Sequence, residues 1–172
     1  MNFITVPLDS TFSKQRQAFS CGTSPEHVTL NNYIHIQAKQ DVRRNLAVCY
    51  IWPDENHDII GYYTISSSSI RRDILPNDII RRIPVYYTHL PVFLIGRLAR
   101  DIKFKGKGTG ETLIMDALQR CYDFSMKVGS MAVVVDPIDQ NAINFYKKFY
   151  FILIPDNGRM FLEMDTIKRL FS

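Results

Sequence analysis

Three glycines fall within the five residues from Gly106 to Gly110, in a chain of 172 residues that has only eight. They sit in "FKGKGTGETL", after the apolar run that opens "VFLIGRLARDIKF" and before a stretch with helical apolar spacing. Ile114, Ala117, Leu118, Cys121 and Val128 recur on one face, which predicts a helix over about 108–127 with Cys121 in the core. A glycine turn from a buried strand into a helix points successive backbone N–H groups at one place, where the helix dipole adds partial positive charge. Glycine also lets anionic oxygens approach the main chain. The pattern predicts a diphosphate site, with Lys103, Lys105 and Lys107 adding charge at its rim. The alternative is a tight structural turn.

The spacing selects among phosphate ligands. A nucleoside triphosphate loop needs Lys and then Ser or Thr after its last glycine, and Gly110 is followed by Glu111. A dinucleotide fingerprint is spaced G-x-G-x-x-G and opens a first strand–helix unit; this one is G-x-G-x-G and follows a hairpin. What remains is the class of acyltransferases that hold the pyrophosphate of coenzyme A.

The rest of the chain reads as alternating short elements. "MNFITVPL" has the pattern of a strand. Ser24 is placed as an N-cap and Pro25 as the first residue of a helix with Leu30, Tyr33, Ile34 and Ala38 on one face. "LAVCYIW" and "IIGYYTISSSSI", rich in β-branched and aromatic residues, flank the polar "PDENHD" and predict an antiparallel hairpin. From Arg71 to Pro91 the pattern is irregular, broken by Pro76, Pro84 and Pro91, with room for a short helix. "MAVVVDP" reads as a buried strand, "DQNAINFYKKF" as a short helix, and "YFILIP" and "RMFLEM" as strands around "DNG". No repeat or linker interrupts the chain. These features predict one domain over residues 1–172, of α/β (α+β) class. Its sheet is mixed and mostly antiparallel, with a central strand–Gly loop–helix–strand crossover and helices on both faces.

Composition narrows the class further. An apolar fraction of 46% belongs to a globular chain. The N-terminus lacks the layout of a signal peptide, and no apolar run matches a bilayer. Three scattered cysteines, Cys21, Cys49 and Cys121, fit a reduced, cytoplasmic protein. The four histidines have no ligand spacing with them, so no structural metal is expected. The net charge of +4 selects no partner by itself, but arginines pair at 43–44, 71–72 and 81–82.

"LARDIKFKGKGTGETLIMDAL", followed by "AVVVDPIDQNAINFYKKFYFILIP", resembles the GNAT superfamily of N-acetyltransferases. Lys105, Gly108 and Gly110 occupy the positions of that family's Gln/Arg-x-x-Gly-x-Gly/Ala loop, with Lys105 as a departure. "NFYKKFYF" is similar to the family's F-Y-x-x-x-G-F, with Tyr150 standing where glycine is usual. "FSCGTSPEHVTLNNYIHIQAKQD", "IIGYYTISSSSI", "LIGRLARD" and "PDNGRMFLEM" resemble one branch, the acetyltransferase toxins of toxin–antitoxin pairs, which acetylate the amino group of aminoacyl-tRNA.

The resemblance implies a GNAT-like fold and acetyl-CoA as cofactor. It implies that Leu98, Ala99 and Arg100 bind the pantetheine arm and carbonyl through main-chain groups, and that Gly106, Lys107, Gly108, Thr109 and Gly110 hold the pyrophosphate. Asn141 is a candidate for the cofactor arm or, equally, for a helix cap. The tyrosine matching Tyr146 acts in the family as general acid beside the thioester sulfur; a packed aromatic is the alternative. A phenol near pKa 10 is a weaker acid than a thiol near 8.5, so full transfer is uphill by roughly 2 kcal/mol and a hydrogen bond that tightens on the sulfur serves as well. An α-amine near pKa 8 needs no strong base. His89 is the nearest candidate for one and has no visible partner. Arg71, Arg72, Arg81 and Arg82 are the candidates for an RNA-facing groove, against the alternative of a solvated surface.

The branch further implies aminoacyl-tRNA as acceptor, a ribbon–helix–helix type antitoxin, a homodimer and no membrane. A GNAT enzyme acting on a small amine, peptide or antibiotic and a non-catalytic basic binding module are the competing functions.

Overall fold

The computed structural model describes residues 3–172. Its strands are β1 (Val6–Pro7), β2 (Val48–Pro53), β3 (Ile59–Arg71), β4 (His89–Arg100), β5 (Ala132–Val135), β6 (Ile152–Leu153) and β7 (Met160–Glu163). The α-helices are α1 (Ser13–Ala18), α2 (Pro25–Asn32), α3 (Ala38–Arg43), α4 (Asn77–Ile80), α5 (Thr109–Ser125), α6 (Gln140–Lys147) and α7 (Met164–Leu170). The sheet is open, in the order β1-β2-β3-β4-β5-β7-β6, and β1 with β2, β2 with β3, β5 with β7 and β6 with β7 pair antiparallel. The expected mixed, mostly antiparallel fold is the one observed. The chain forms two compact units, one of the described residues up to Ser66 with Ile95–Ala117, the other of Ser67–Leu94 with Leu118–Ser172.

In the first unit, the β2–β3 hairpin keeps Tyr50 opposite Tyr63 and Ile51 opposite Tyr62. Ile51, Tyr62 and Ala99 share a core with Phe12, Phe19 and the helical face of Tyr33, Ile34 and Ala38. That face is the one read from the sequence, and Ser24 caps α2 by accepting from the His27 N–H. The helix is not continuous, however. Tyr33–Gln37 form a π turn, closed by the Ala38 N–H on the Tyr33 carbonyl. Its widened carbonyls have partners from α1: the buried Arg16 Nη1 donates to Ile34 O at 2.9 Å and His35 O at 3.0 Å, and Gln17 Nε2 donates to His35 O at 2.8 Å. Helix α5 is fastened to the same unit through Asp116, which accepts from the Thr5 and Tyr63 hydroxyls.

In the second unit, the core joins Ile70, Leu90 and Val92 to Val134, Ile154 and Phe161. The irregular stretch expected after Arg71 contains a 3₁₀ turn at Arg72–Ile74 and α4. Arg72 Nη2 holds it closed by donating to the carbonyls of Ile80 and Ile83. Where "RMFLEM" was expected to end the chain as a strand, β7 passes at Glu163 directly into α7.

Tyr150, at the position where the family resemblance expects glycine, adopts φ 67 and leaves its side chain exposed. A left-handed L-residue is strained by about 1–2 kcal/mol. The turn keeps it because the Tyr150 and Phe151 N–H groups close on Lys147 O and Tyr146 O. Tyr150→Gly is expected to raise unfolding stability by about 1 kcal/mol in urea denaturation, the relief of strain outweighing the added freedom of the unfolded chain.

Candidate functional site

The sequence-predicted residues from Leu98 to Gly110 form one continuous path in the first unit. Strand β4 ends at Arg100, and its last residues run close beside β3. A Cβ built on Gly61 would stand 2.9 Å from the Ala99 carbonyl oxygen and 2.5 Å from Leu113 Cδ1, closer than a side chain tolerates. The path then turns on Asp101. Its N–H donates to Ile60 O, its Oδ2 accepts from Ser20 N–H at 3.1 Å, and its Oδ1 accepts from Lys103 N–H at 3.0 Å. Asp101 is buried, so these bonds fix the exit from the strand. The sequence reading did not single it out; its place directly after the strand was the available signal.

A 3₁₀ turn at Ile102–Phe104 follows, and Thr109 Oγ1 bonds back to Phe104 O at 2.7 Å, closing the loop on the first residue of α5. Inside that closure, Gly106 and Gly108 have φ of 76 and 70, and a Cβ on either would meet nothing within 4 Å. The glycines are therefore required by backbone conformation and not by packing. Open space lies beside them, on the side a side chain would fill. With α5's first-turn N–H groups following, the turn has the geometry in which main-chain N–H groups can receive an anion. Such a turn suits the oxygens of a diphosphate. Lys103, Lys105 and Lys107 are exposed around it, with Lys107 Nζ 5.2 Å from the centroid of the Phe104 ring.

Arg97, two residues before Ala99 on β4, was not singled out from sequence. Its guanidinium carbon lies 3.8 Å over the centroid of the Tyr33 ring.

Tyr146 and Asn141 lie in the second unit, on α6. Asp139 caps this helix by accepting from Ala142 N–H at 2.7 Å, so Asn141 is not the cap and is exposed. Tyr146 is 8% exposed, and its ring is 5.3 Å from that of Phe145 and 5.4 Å from that of Phe151. Burial pushes its hydroxyl above the ordinary phenol value, and the Asp136 carboxylate adds to the effect. The group is thus a neutral donor across the physiological range. The cysteines are not nucleophiles: burial pushes Cys121 and Cys49 up to about 12 and Cys21 to about 11. His89 is exposed, its Nδ1 3.2 Å from the Thr88 hydroxyl.

The four candidate RNA-facing arginines, also in the second unit, differ in their commitments. Arg71 pairs with Asp73, Arg82 Nη2 donates to both carboxylate oxygens of Glu163 at 3.0 and 3.1 Å, and Arg72 is spent on carbonyls. Arg81 is exposed, on the short segment after α4.

No family model matches the chain. Curated relatives do, among them two toxins. A probable toxin TacT of Sinorhizobium fredii (strain NBRC 101917 / NGR234) is 30% identical, the match covering 98% of this chain and 95% of the relative. A tRNA-acetylating toxin of Mycobacterium tuberculosis (strain ATCC 25618 / H37Rv) is 28% identical over 84% of this chain and 85% of its own length. Among solved structures, a tyrosine-to-phenylalanine mutant of KacT superposes with a TM-score of 0.87 at 26% identity, covering 99% of this chain and 100% of that one. AtaT complexed with acetyl-methionyl-tRNAfMet gives the same TM-score, identity and coverage. AtaTR bound with AcCoA gives 0.84 at 26% identity, covering 99% of both chains.

If the open space beside the turn receives a diphosphate, Gly106→Ala and Gly108→Ala should each lower coenzyme A affinity by about tenfold or more in calorimetry. The strain of a left-handed alanine should lower stability by only about 1–2 kcal/mol. Unchanged affinity in both would leave the turn a structural one.

Proposed function

The chain belongs to the family of tRNA-acetylating toxins, N-acetyltransferases of the GNAT fold, and we infer that it transfers an acetyl group from acetyl-CoA to the α-amino group of aminoacyl-tRNA, so blocking translation. Beyond family membership, the observation that carries this reading is the turn at Gly106–Gly110. It has left-handed glycines, an unobstructed flank and a helix N-terminus behind it.

Acetyl-CoA supplies the acetyl group as a thioester. In the proposed mechanism, the main-chain N–H groups of Gly106, Lys107, Gly108, Thr109 and Gly110 bind the pyrophosphate, with the Lys105 side chain at the rim. Leu98, Ala99 and Arg100 orient the pantetheine arm and the carbonyl through their main chain, and Asn141, free of capping duty, bonds to the arm. Binding at a site remote from the reacting carbon is what holds that carbon within reach of a nucleophile. The amine nitrogen bonds to the acetyl carbon, the carbon–sulfur bond breaks with coenzyme A leaving as the thiolate, and the one proton the nitrogen sheds passes through solvent to that sulfur. The Tyr146 hydroxyl donates to the departing sulfur. Its acidity is lowered by burial, so the role fits a hydrogen bond that strengthens as charge develops better than complete proton transfer. No side-chain base is assigned, since an α-amine with a pKa near 8 is partly neutral already.

The partners follow the same reading. Arg81 supplies phosphate affinity in the second unit; Arg71, Arg72 and Arg82 contribute chiefly by holding that surface in shape. An antitoxin of ribbon–helix–helix type, a homodimer, a single functional domain over residues 1–172 and action in the cytoplasm, where charged tRNA is used, complete the proposal. Among the described residues no helix is long and apolar enough to cross a membrane.

The test is transfer of label from acetyl-CoA to total charged tRNA by the pure protein, with recovery on an aminoacyl ester. Tyr146→Phe should slow the transfer by about two to four orders of magnitude while acetyl-CoA binding persists. With the wild type, kcat/KM should rise with pH and level off above about 8, as the amine loses its proton. Because the Tyr146 pKa is raised, the protonated form persists upward and no fall is expected near 10. Label found only on free amines, or a full rate in Tyr146→Phe, would contradict the reading.

A further inference from the structure

Arg97 is placed as a ligand-binding cation is placed. Its guanidinium lies over Tyr33 in a cation–π contact, 3.8 Å from the ring centroid, and the main-chain N–H of Arg97 donates to the buried Thr64 hydroxyl oxygen at 3.1 Å. The platform beneath it is rigid. Tyr33 is 1% exposed, stacks on Tyr62 with ring centroids 6.1 Å apart, and Tyr62 donates to Leu30 O at 2.8 Å. The π turn begins at Tyr33 itself, and π turns recur where a helix must aim a side chain at a site. Arg16, Arg71, Arg72 and Arg82 each donate to a carboxylate or a carbonyl. Among the described residues, no carboxylate pairs with Arg97, which is half-buried. A half-buried guanidinium presents five donors in a fixed fork, and with one face against a ring its in-plane edge suits the paired oxygens of a phosphate.

The neighbouring residues, Leu98 to Arg100, are those proposed to orient the acetyl carbonyl. An anion held at Arg97 is then an anion of the acceptor, close to its reacting amine. We propose that Arg97, stacked on Tyr33, binds the phosphate of the 3′-terminal nucleotide of the acceptor RNA. This rests on the proposed RNA acceptor, and it assigns the RNA's end a contact separate from the cofactor turn.

The experiment uses the full-length protein saturated with acetyl-CoA. Its acceptors are an aminoacyl adenosine with and without a 5′-phosphate, carrying the amino acid that the labelled transfer identifies. The wild type should use the phosphorylated acceptor with a KM about tenfold to hundredfold lower, as for a charge-assisted bidentate contact. Arg97→Gln should abolish that difference while leaving the phosphate-free acceptor within about twofold of wild type, and Arg97→Lys should restore part of it. Equal use of both acceptors by the wild type overturns the proposal without needing any variant. So does an equal slowing of both acceptors in Arg97→Gln, the mark of a structural role, or a loss of coenzyme A affinity there, which would give the residue to the cofactor. A parallel titration of the coenzyme A-saturated protein with adenosine 5′-monophosphate and with adenosine separates the two readings. Arg97-dependent preference for the monophosphate, in a protein that acetylates no RNA, supports the anion site and removes the RNA substrate. RNA acetylation with no such preference does the reverse.

Discussion

The exit of the chain from β4 is fixed by one buried carboxylate. Asp101 takes backbone N–H groups from Ser20 and Lys103 on its two oxygens while its own N–H closes on Ile60. Hydrogen bonds to a charged acceptor contribute about 1.5–3 kcal/mol each, and their directions leave the following residues little choice of path. The 3₁₀ turn, the Thr109 closure and the left-handed glycines all follow within the next eight residues. The anion cradle is thus held by the strand, not by the side chains that border it. Lysine can therefore replace the usual glutamine or arginine at residue 105 with little consequence for the main-chain geometry.

A second constraint acts on the other end of the first unit. Arg16, buried in α1, anchors the carbonyls of the π turn. The extra residue in that turn breaks the register of the α2–α3 helix, with Tyr33 as its first residue. Thr64 on β3 and Tyr33 on the helix then converge on a single β4 residue, Arg97, the first on its main-chain N–H and the second beneath its guanidinium. Under the proposed function, the two constraints give the same short piece of β4 different duties: main chain from Leu98 onward for the thioester, and side chain at Arg97 for the acceptor.

Much of this was readable in the residues. The turn was legible because three closely spaced glycines between an apolar strand and an amphipathic helix admit few alternatives, and the face of Leu30, Tyr33, Ile34 and Ala38 was legible from periodicity. The π turn was not, since Arg16 and Ile34 are 18 residues apart and nothing local marks their hydrogen bond. Helix α7 was hidden because β7 runs into it with no side-chain cap at Glu163. The arginine doublets looked alike as charges; only the fold distinguishes Arg72, committed to Ile80 and Ile83, from Arg81. Tyr150 shows that a family glycine can be replaced where backbone bonds on either side hold the left-handed turn. Arg97 was invisible as a site because an arginine within a strand carries no signal until its ring partner is known.

In the proposed mechanism backbone amides, not side chains, take the pyrophosphate. Amide hydrogen–deuterium exchange with and without saturating coenzyme A tests it most directly. The claim predicts slowed exchange at the amides of residues 106–110, larger than at the flanking lysine-bearing residues 103–105. Exchange at 106–110 that coenzyme A leaves unchanged, in a protein that demonstrably binds it, would contradict the claim.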